Sequence, residues 1–145
     1  MTLPPQTYAN HRRFFPLFHF FAFPIVGVNV LVALAQLIEH PSLLDAWYLV
    51  FAMGVAAGFL ASRASTLTVQ DRLIGLEMRL RLAAVLPPEL RQRIPELRLR
   101  HLVGLRFASD AELPDLVARC LAGELRTAEQ VKREIRDWRG DFVRA

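Results

Sequence analysis

The sequence predicts an all-α membrane protein: a transmembrane helical hairpin whose second helix extends into the cytosol, followed by a small C-terminal bundle of short helices. Three observations lead to this prediction. Residues 14–62 hold two uncharged apolar runs separated by one short acidic break. Between residues 63 and 86 there is no proline and a single glycine, so nothing interrupts a helix. Beyond residue 86, prolines and capping residues divide the chain into short segments with helical apolar spacing.

The two apolar runs have the length of membrane spans. Residues 14–38 and residues 46–62 carry no charged side chain, and Leu43 and Leu44 lengthen the second run. At a helical rise of 1.5 Å per residue, the runs extend about 37 Å and about 26 Å, against a hydrocarbon core of about 30 Å. We therefore predict spans at 14–38 and 43–62, joined by a turn at 39–45.

Charge predicts the orientation of this hairpin. The N-terminal tail, residues 1–13, has a net charge of +2, the turn has −2 and residues 63–145 have +4. Because positive flanks stay on the cytoplasmic side, both termini are expected inside and the turn outside. A cleaved signal peptide is the alternative, but the first run is longer than the 7–15 residues of a signal core and a second span follows.

Polar and small residues mark the expected packing faces of the spans. Asn29 and Gln36 lie seven residues apart on one face of span 1, and they predict either interhelical hydrogen bonds or a polar pathway. The absence of an ionised residue on that face favours packing. In span 2, Gly54 and Gly58 form a small-xxx-small pattern that admits a neighbouring helix, either span 1 or another copy. Pro24 is expected to bend span 1 and to free a backbone carbonyl.

The helix beyond the membrane, residues 63–86, carries two apolar stripes. One has the 4-3-4-3 spacing of a coiled-coil seam and predicts a parallel homodimer. The members of this seam are Val69, Leu73, Leu76, Leu80 and Ala83. The other stripe, roughly opposite, is expected to hold the C-terminal helices, and its members are Leu67, Ile74, Met78, Leu82 and Val85. Packing of both stripes within one chain is the alternative, because the seam is shorter than three heptads.

The C-terminal module, residues 87–145, is predicted to consist of short helices. Pro87 and Pro88 end the long helix. The expected helices cover residues 88–94, 95–107, 109–123 and 127–139. The last two begin with the capping-box sequences SDAE and TAEQ. Pro114 lies inside the first turns after SDAE, so that helix is expected either to start elsewhere or to be bent there. The face of the final helix is predicted to comprise Val131, Ile135 and Trp138, with Phe142 packed on Trp138.

No motif for catalysis, metal binding or cofactor binding occurs in the sequence. There is no glycine-rich phosphate loop, no metal-ligand spacing and no nucleophile elbow. Cys120 is the single cysteine, and we expect it to be a small buried hydrophobic residue. Acids are interleaved with the bases, which favours a solvated surface beside anionic lipid over a nucleic-acid-binding surface, so we expect no nucleic-acid partner. The arginines near residues 91–106 predict a solvated face, with anionic lipid headgroups as the alternative partner.

Four stretches resemble a known family: QTYANHRRFFPLFHFF, LTVQDRLIGLEMRLRL, LRFASDAELPDLVARCL and KREIRDWRGDFVR. They are similar to an uncharacterised bacterial family of small two-span membrane proteins, a domain-of-unknown-function family. The resemblance implies a protein of the bacterial inner membrane. It implies no activity, substrate or catalytic residue.

Two functions remain as hypotheses. The first is a non-enzymatic scaffold or adaptor, anchored in the lipid bilayer, whose cytosolic module meets a second copy or an unidentified membrane or cytosolic protein. The second is a small subunit of a multi-component transporter, in which Asn29 and Gln36 line a shared pore.

Overall fold

The computed structural model describes residues 7–8 and 15–141, and within them every regular element is a helix. Six α-helices follow one another: α1 (Phe23–Glu39), α2 (Leu43–Val85), α3 (Pro88–Arg91), α4 (Leu99–Leu105), α5 (Leu113–Leu121) and α6 (Ala128–Glu134). A π-helical turn, Leu17–Ala22, precedes α1, and a 3₁₀ turn, Ile94–Glu96, precedes α4. The prediction of an all-helical chain with two long apolar helices and shorter C-terminal helices is confirmed.

The chain divides into two compact units. The hairpin unit is Arg13–Leu67, and the C-terminal unit is Thr68–Ala145 together with Met1–Arg12. Helix α2 contributes to both because it continues without a break from Leu43 to Val85. Its observed ends agree with the predicted helix from 43 to 86 to within one residue, since no proline or helix-ending glycine lies between them.

The hairpin unit consists of two helices that are long and apolar enough to cross a membrane, by length and composition. Its only buried residues, among those described, are Ala33 and Ala52. The aromatic rings of Phe18 and Phe59 stack with their centroids 4.7 Å apart, and the guanidinium of Arg63 lies 5.1 Å from the Phe18 ring. Small residues and one aromatic pair therefore join the two helices.

Pro24 is accommodated by a change in helix type. The preceding turn is π-helical, and the Phe23 N–H donates to the carbonyl of Phe18, five residues back. In a π-helical turn each backbone N–H bonds to the carbonyl five residues back. This pattern ends directly before Pro24, which has no N–H to donate. The expected disturbance at Pro24 thus takes the form of a π-helical turn.

The core of the C-terminal unit forms on one face of α2. Ile74, Met78, Leu82 and Leu86 are buried together with apolar residues from α4, α5 and α6. Helix α4 packs closely on α6 at Gly104, which has no side chain. A Cβ placed there would lie only 2.9 Å from the Val131 Cβ. The predicted packing of this stripe is confirmed for Ile74, Met78 and Leu82, with Val85 partly buried against the same core. It is wrong for Leu67, which is exposed and belongs to the hairpin unit.

Polar contacts fix the same unit. The Arg81 guanidinium donates to the Asp110 carboxylate at 2.7 Å and to the carbonyls of Arg106 and Ala108 at 3.2 and 2.7 Å. The Tyr8 hydroxyl donates to Glu129. Arg81 therefore ties α2 to the segment between α4 and α5.

Two helix starts differ from the prediction. Pro95 lies in the 3₁₀ turn, and α4 begins only at Leu99 after the extended Arg98. The predicted capping box at residues 109–112 is wrong, because α5 begins at Leu113 without a side-chain cap and has Pro114 in its first turn. A proline there supplies no N–H that needs a cap. The Glu112 carboxylate instead accepts the backbone N–H groups of Arg136 and Asp137 at 3.0–3.3 Å.

The last helix begins as predicted and ends early. Thr127 Oγ1 accepts the Gln130 N–H at 3.1 Å and Gln130 Oε1 accepts the Thr127 N–H at 3.1 Å, which confirms the second capping box. Helix α6 nevertheless ends at Glu134, and Trp138 pairs in an antiparallel bridge with Ala108. The Trp138 ring lies 5.1 Å from the Phe107 ring. Pairing with the segment after α4 thus replaces the predicted last helical turn, and Phe142 lies outside the described residues.

Candidate interaction surface

Helix α2 buries one of its apolar stripes and leaves the other open. Ile74 and Met78, on the buried stripe, are 6% and 3% exposed. The seam residues are 54–66% exposed, and they are Val69, Leu73, Leu76 and Leu80. Four large apolar side chains in coiled-coil register therefore lie uncovered on a helix whose other stripe is buried at Ile74, Met78 and Leu82.

A cleft of about 570 Å³ runs beside this seam. It is lined by Val69, Arg72, Leu73, Leu76, Arg79 and Leu99. Leu99 comes from α4, which approaches α2 closely because Gly75 has no side chain: a Cβ there would lie 2.6 Å from the Leu99 Cδ1. The exposed seam thus has an apolar wall on one side.

Charged residues lie on both sides of the seam. Arg72 and Glu77 are exposed, and neither forms an ion pair with any residue in the described part of the chain. Arg79 donates to the Gly75 carbonyl at 3.4 Å, so its side chain lies along the helix. In a heptad with Leu73 at position a, Arg72 is at g and Glu77 is at e.

The four residues predicted to pack the spans do not pack them within this chain. Asn29 and Gln36 are exposed. A Cβ placed on Gly54 or Gly58 would meet nothing within 4 Å. The helices meet instead around Ala52 and Phe59, so the prediction that a helix seats on Gly54 and Gly58 stays a prediction about another molecule.

Asn29 lies in a shallow apolar cleft on the outer face of α1. The cleft has a volume of about 370 Å³, and its other lining residues are Pro24, Ile25, Val28 and Val32. A cleft that is apolar except for one amide resembles a surface on which another helix packs, and it does not resemble a water-filled passage.

Reactive and metal-ligating side chains are sparse in the part of the chain that the structure describes. Within it, no three His, Cys, Asp or Glu residues are grouped to hold a metal ion. Cys120 is buried as expected, and burial raises the pKa of its thiol to about 11. A thiol in that environment stays protonated at neutral pH and is a poor nucleophile.

Comparison with known proteins identifies a family and no closer relative. A family model described as a family of unknown function (DUF6526) matches residues 1–145. No curated protein and no solved structure matches the chain.

Proposed function

Because the chain belongs to a family of unknown function, DUF6526, we propose its role from its own geometry: a scaffold of the bacterial inner membrane that self-associates through the seam on α2. The hairpin unit is the anchor, with both termini in the cytosol. The C-terminal unit is the interaction module. The contrast between the buried and the exposed apolar stripe of α2 carries this proposal.

The surface of the hairpin unit supports membrane anchoring. Large apolar side chains are exposed on both sides of the hairpin, and Phe21, Leu31, Val50 and Leu60 are 53–65% exposed. Continuous apolar surface of this extent is foreign to a water-exposed monomer. Lipid tails cover such surface without further protein, and helices satisfy their own backbone groups in lipid.

The contacts of Tyr8 support placing both ends of the chain on one side. Its hydroxyl donates to Glu129 and accepts from the Arg133 Nε at 3.0 Å, so Tyr8 itself lies against α6. The positive flanks then place that side in the cytosol.

The seam supports a parallel pair of copies. Hairpins inserted with one orientation present their α2 helices in parallel, which removes the antiparallel alternative. In that arrangement Arg72 of one copy faces Glu77 of the other. An exposed ion pair of this kind contributes only about 0.5 kcal/mol, so the leucines must supply most of the association energy. Confinement to a membrane raises the local concentration of copies, and a short seam then suffices.

The test measures oligomeric state in the bilayer. The full chain, labelled with one fluorophore, is reconstituted into vesicles at low density, and photobleaching steps are counted. We expect two steps for the wild type and one step for the Leu73→Glu, Leu80→Glu double variant, because two carboxylates cannot be buried in the pair. The matched control is Ala111→Glu with Ala118→Glu, which adds the same charge at the same spacing on exposed positions outside the seam. Equal step counts in all three proteins contradict the proposal.

A role as a small transporter subunit is the second candidate, and the outward position of Asn29 and Gln36 favours it. Both side chains are exposed in this chain, so a further subunit of a transporter would have access to them. In a transporter Asn29→Leu abolishes flux, whereas in a scaffold it leaves photobleaching counts and partner binding unchanged.

A further inference from the structure

A second cleft in the C-terminal unit, separate from the seam, is lined by basic side chains. Its volume is about 450 Å³, and it is formed by α4, the end of α5 and the segment that follows α5. The residues that determine its chemistry are Glu96, Arg98, Arg100, His101 and Arg126.

The three arginines of this cleft have no counter-ion. Among the described residues, Arg81, Arg93, Arg106, Arg119 and Arg139 all form ion pairs. Arg98, Arg100 and Arg126 form no ion pair with any residue of 7–8 or 15–141, although acids are interleaved throughout this part of the sequence. Three uncompensated guanidinium groups around one concavity produce a positive potential that attracts an anion.

The only acid in the cleft is already engaged. Glu96 accepts two hydrogen bonds from Arg93 at 2.8 and 2.9 Å. This bonding lowers the pKa of Glu96, so the carboxylate is ionised and its charge is matched by Arg93. It does not neutralise the three arginines that line the cleft.

Arg126 is oriented by the turn after α5. Gly123 has a positive φ of 82°, which lets the chain reverse at the helix end. The Arg126 Nε donates to the Gly123 carbonyl at 3.0 Å. That bond uses one nitrogen of the guanidinium and leaves the two terminal nitrogens for a ligand.

His101 is a buried neutral residue beside these charges. Its Nδ1 accepts the Arg98 N–H at 3.4 Å, which assigns the proton to Nε2. Burial, and next the charge of Arg100, lower the pKa of the imidazole, whereas the backbone of Arg126 raises it. Because His101 is neutral and its ring interacts with the protein's own backbone, the positive charge of the cleft comes from the three arginines.

We propose that this cleft binds a phosphate group, held by the guanidinium groups of Arg98, Arg100 and Arg126. Guanidinium groups present paired donors that match the oxygens of a phosphate. A cleft of this volume also has room for a substituent on the phosphate. The ligand is either a free phosphate monoester or the headgroup of an anionic phospholipid.

The experiment uses the full chain in a zwitterionic detergent, and it measures the dissociation constant from the dependence of the unfolding midpoint on ligand concentration. The two probes are inorganic phosphate and dihexanoyl phosphatidylglycerol, with sodium chloride at matched ionic strength and dihexanoyl phosphatidylcholine as references. The cleft variant is Arg98→Gln, Arg100→Gln, Arg126→Gln. The control removes the same three charges elsewhere in the unit, with Arg91→Gln, Arg133→Gln, Arg136→Gln. The single variant Arg100→Glu, at an exposed position, serves if the triple variant does not fold.

We expect the wild type and the control variant to bind at least one probe. The cleft variants should bind that probe at least about tenfold more weakly, because they lose charge-assisted hydrogen bonds to it. Binding of both probes or of inorganic phosphate alone indicates a phosphate monoester. Binding of phosphatidylglycerol alone indicates a lipid headgroup. Binding of neither probe, or an equal loss in the cleft and control variants, overturns the proposal.

Discussion

The contact between α4 and α6 at Gly104 gives a stability prediction that the structure quantifies. In Gly104→Ala the new Cβ would lie 2.9 Å from the Val131 Cβ and 3.0 Å from the Ala128 carbonyl oxygen. Optimal contacts between such atoms lie near 3.5–4.0 Å. The first neighbour is a stiff β-branched side chain and the second is backbone, so α6 itself must move.

The expected net effect is destabilising. Alanine in a helix is favoured over glycine by about 0.5–1 kcal/mol, whereas overpacking a core costs about 1–3 kcal/mol. Subtracting the midpoints of these ranges gives a loss of about 1 kcal/mol, and the most adverse combination gives about 2.5 kcal/mol. For a unit of this size, each kcal/mol lowers the unfolding midpoint by about 4–8 °C.

The assay is thermal unfolding of the full chain in detergent, followed by tryptophan fluorescence, since Trp138 belongs to the affected unit. Gly75→Ala is the matched control: its Cβ would lie 2.6 Å from the Leu99 Cδ1, the far end of a flexible side chain that can rotate away. We expect Gly75→Ala to change the midpoint by much less than Gly104→Ala. If Gly104→Ala is as stable as the wild type, the described approach of α4 to α6 is wrong.

Three further predictions concern single groups. Burial raises the pKa of Cys120 from 9.0 to about 11, so we expect the folded chain to resist maleimide at pH 7. Above pH 9 the thiol ionises in the unfolded chain before it does in the folded chain, so the unfolding free energy falls as pH rises from 9 towards 11. Rapid labelling of the native protein contradicts this. The lowered pKa of His101 means that the unfolded chain takes up a proton first, near pH 6.5, so the unfolding free energy falls as pH drops below that value. His101→Gln should flatten this dependence, and an unchanged slope refutes it. Finally, an impermeant thiol reagent added outside intact cells should label Ser42→Cys and should not label Ala122→Cys; the reverse pattern refutes the proposed topology.

The sequence determines the long elements of the fold because their signals are local. The absence of breakers between residues 43 and 85 predicts one helix. The apolar spacing beyond residue 68 predicts two stripes, and it also predicts which one the C-terminal helices cover. The capping box at Thr127 is a bond between residues three apart, so it too is readable from the sequence.

The incorrect predictions depend on tertiary contacts. Glu112 leaves its predicted helix to bond residues 136 and 137, and Trp138 leaves its predicted helix to pair with Ala108. Neither partner is visible in local spacing. The contact between the first two helices was missed for another reason: span 2 is apolar on all sides, so its sequence carries no signal of which face meets span 1.

The basic cleft illustrates the same limit. Arg98 and Arg126 are distant in sequence and line one cleft only because α4 and α5 pack together. Charge composition indicates many arginines near residues 91–106, but it does not indicate which of them find an acid. Ion pairs between distant parts of the C-terminal unit decide which arginines are neutralised. The arginines that remain unpaired are the ones that can form an anion site.

Disulfide crosslinking of Leu76→Cys in native membranes tests the central claim most directly. Leu76 lies in the middle of the exposed seam, whereas Ile74 is buried in the core of the C-terminal unit. The account predicts that Leu76→Cys chains form a crosslinked dimer, that adding Leu73→Glu and Leu80→Glu abolishes it, and that Ile74→Cys chains stay monomeric. Monomeric Leu76→Cys chains, or crosslinked Ile74→Cys chains, would contradict self-association through the seam.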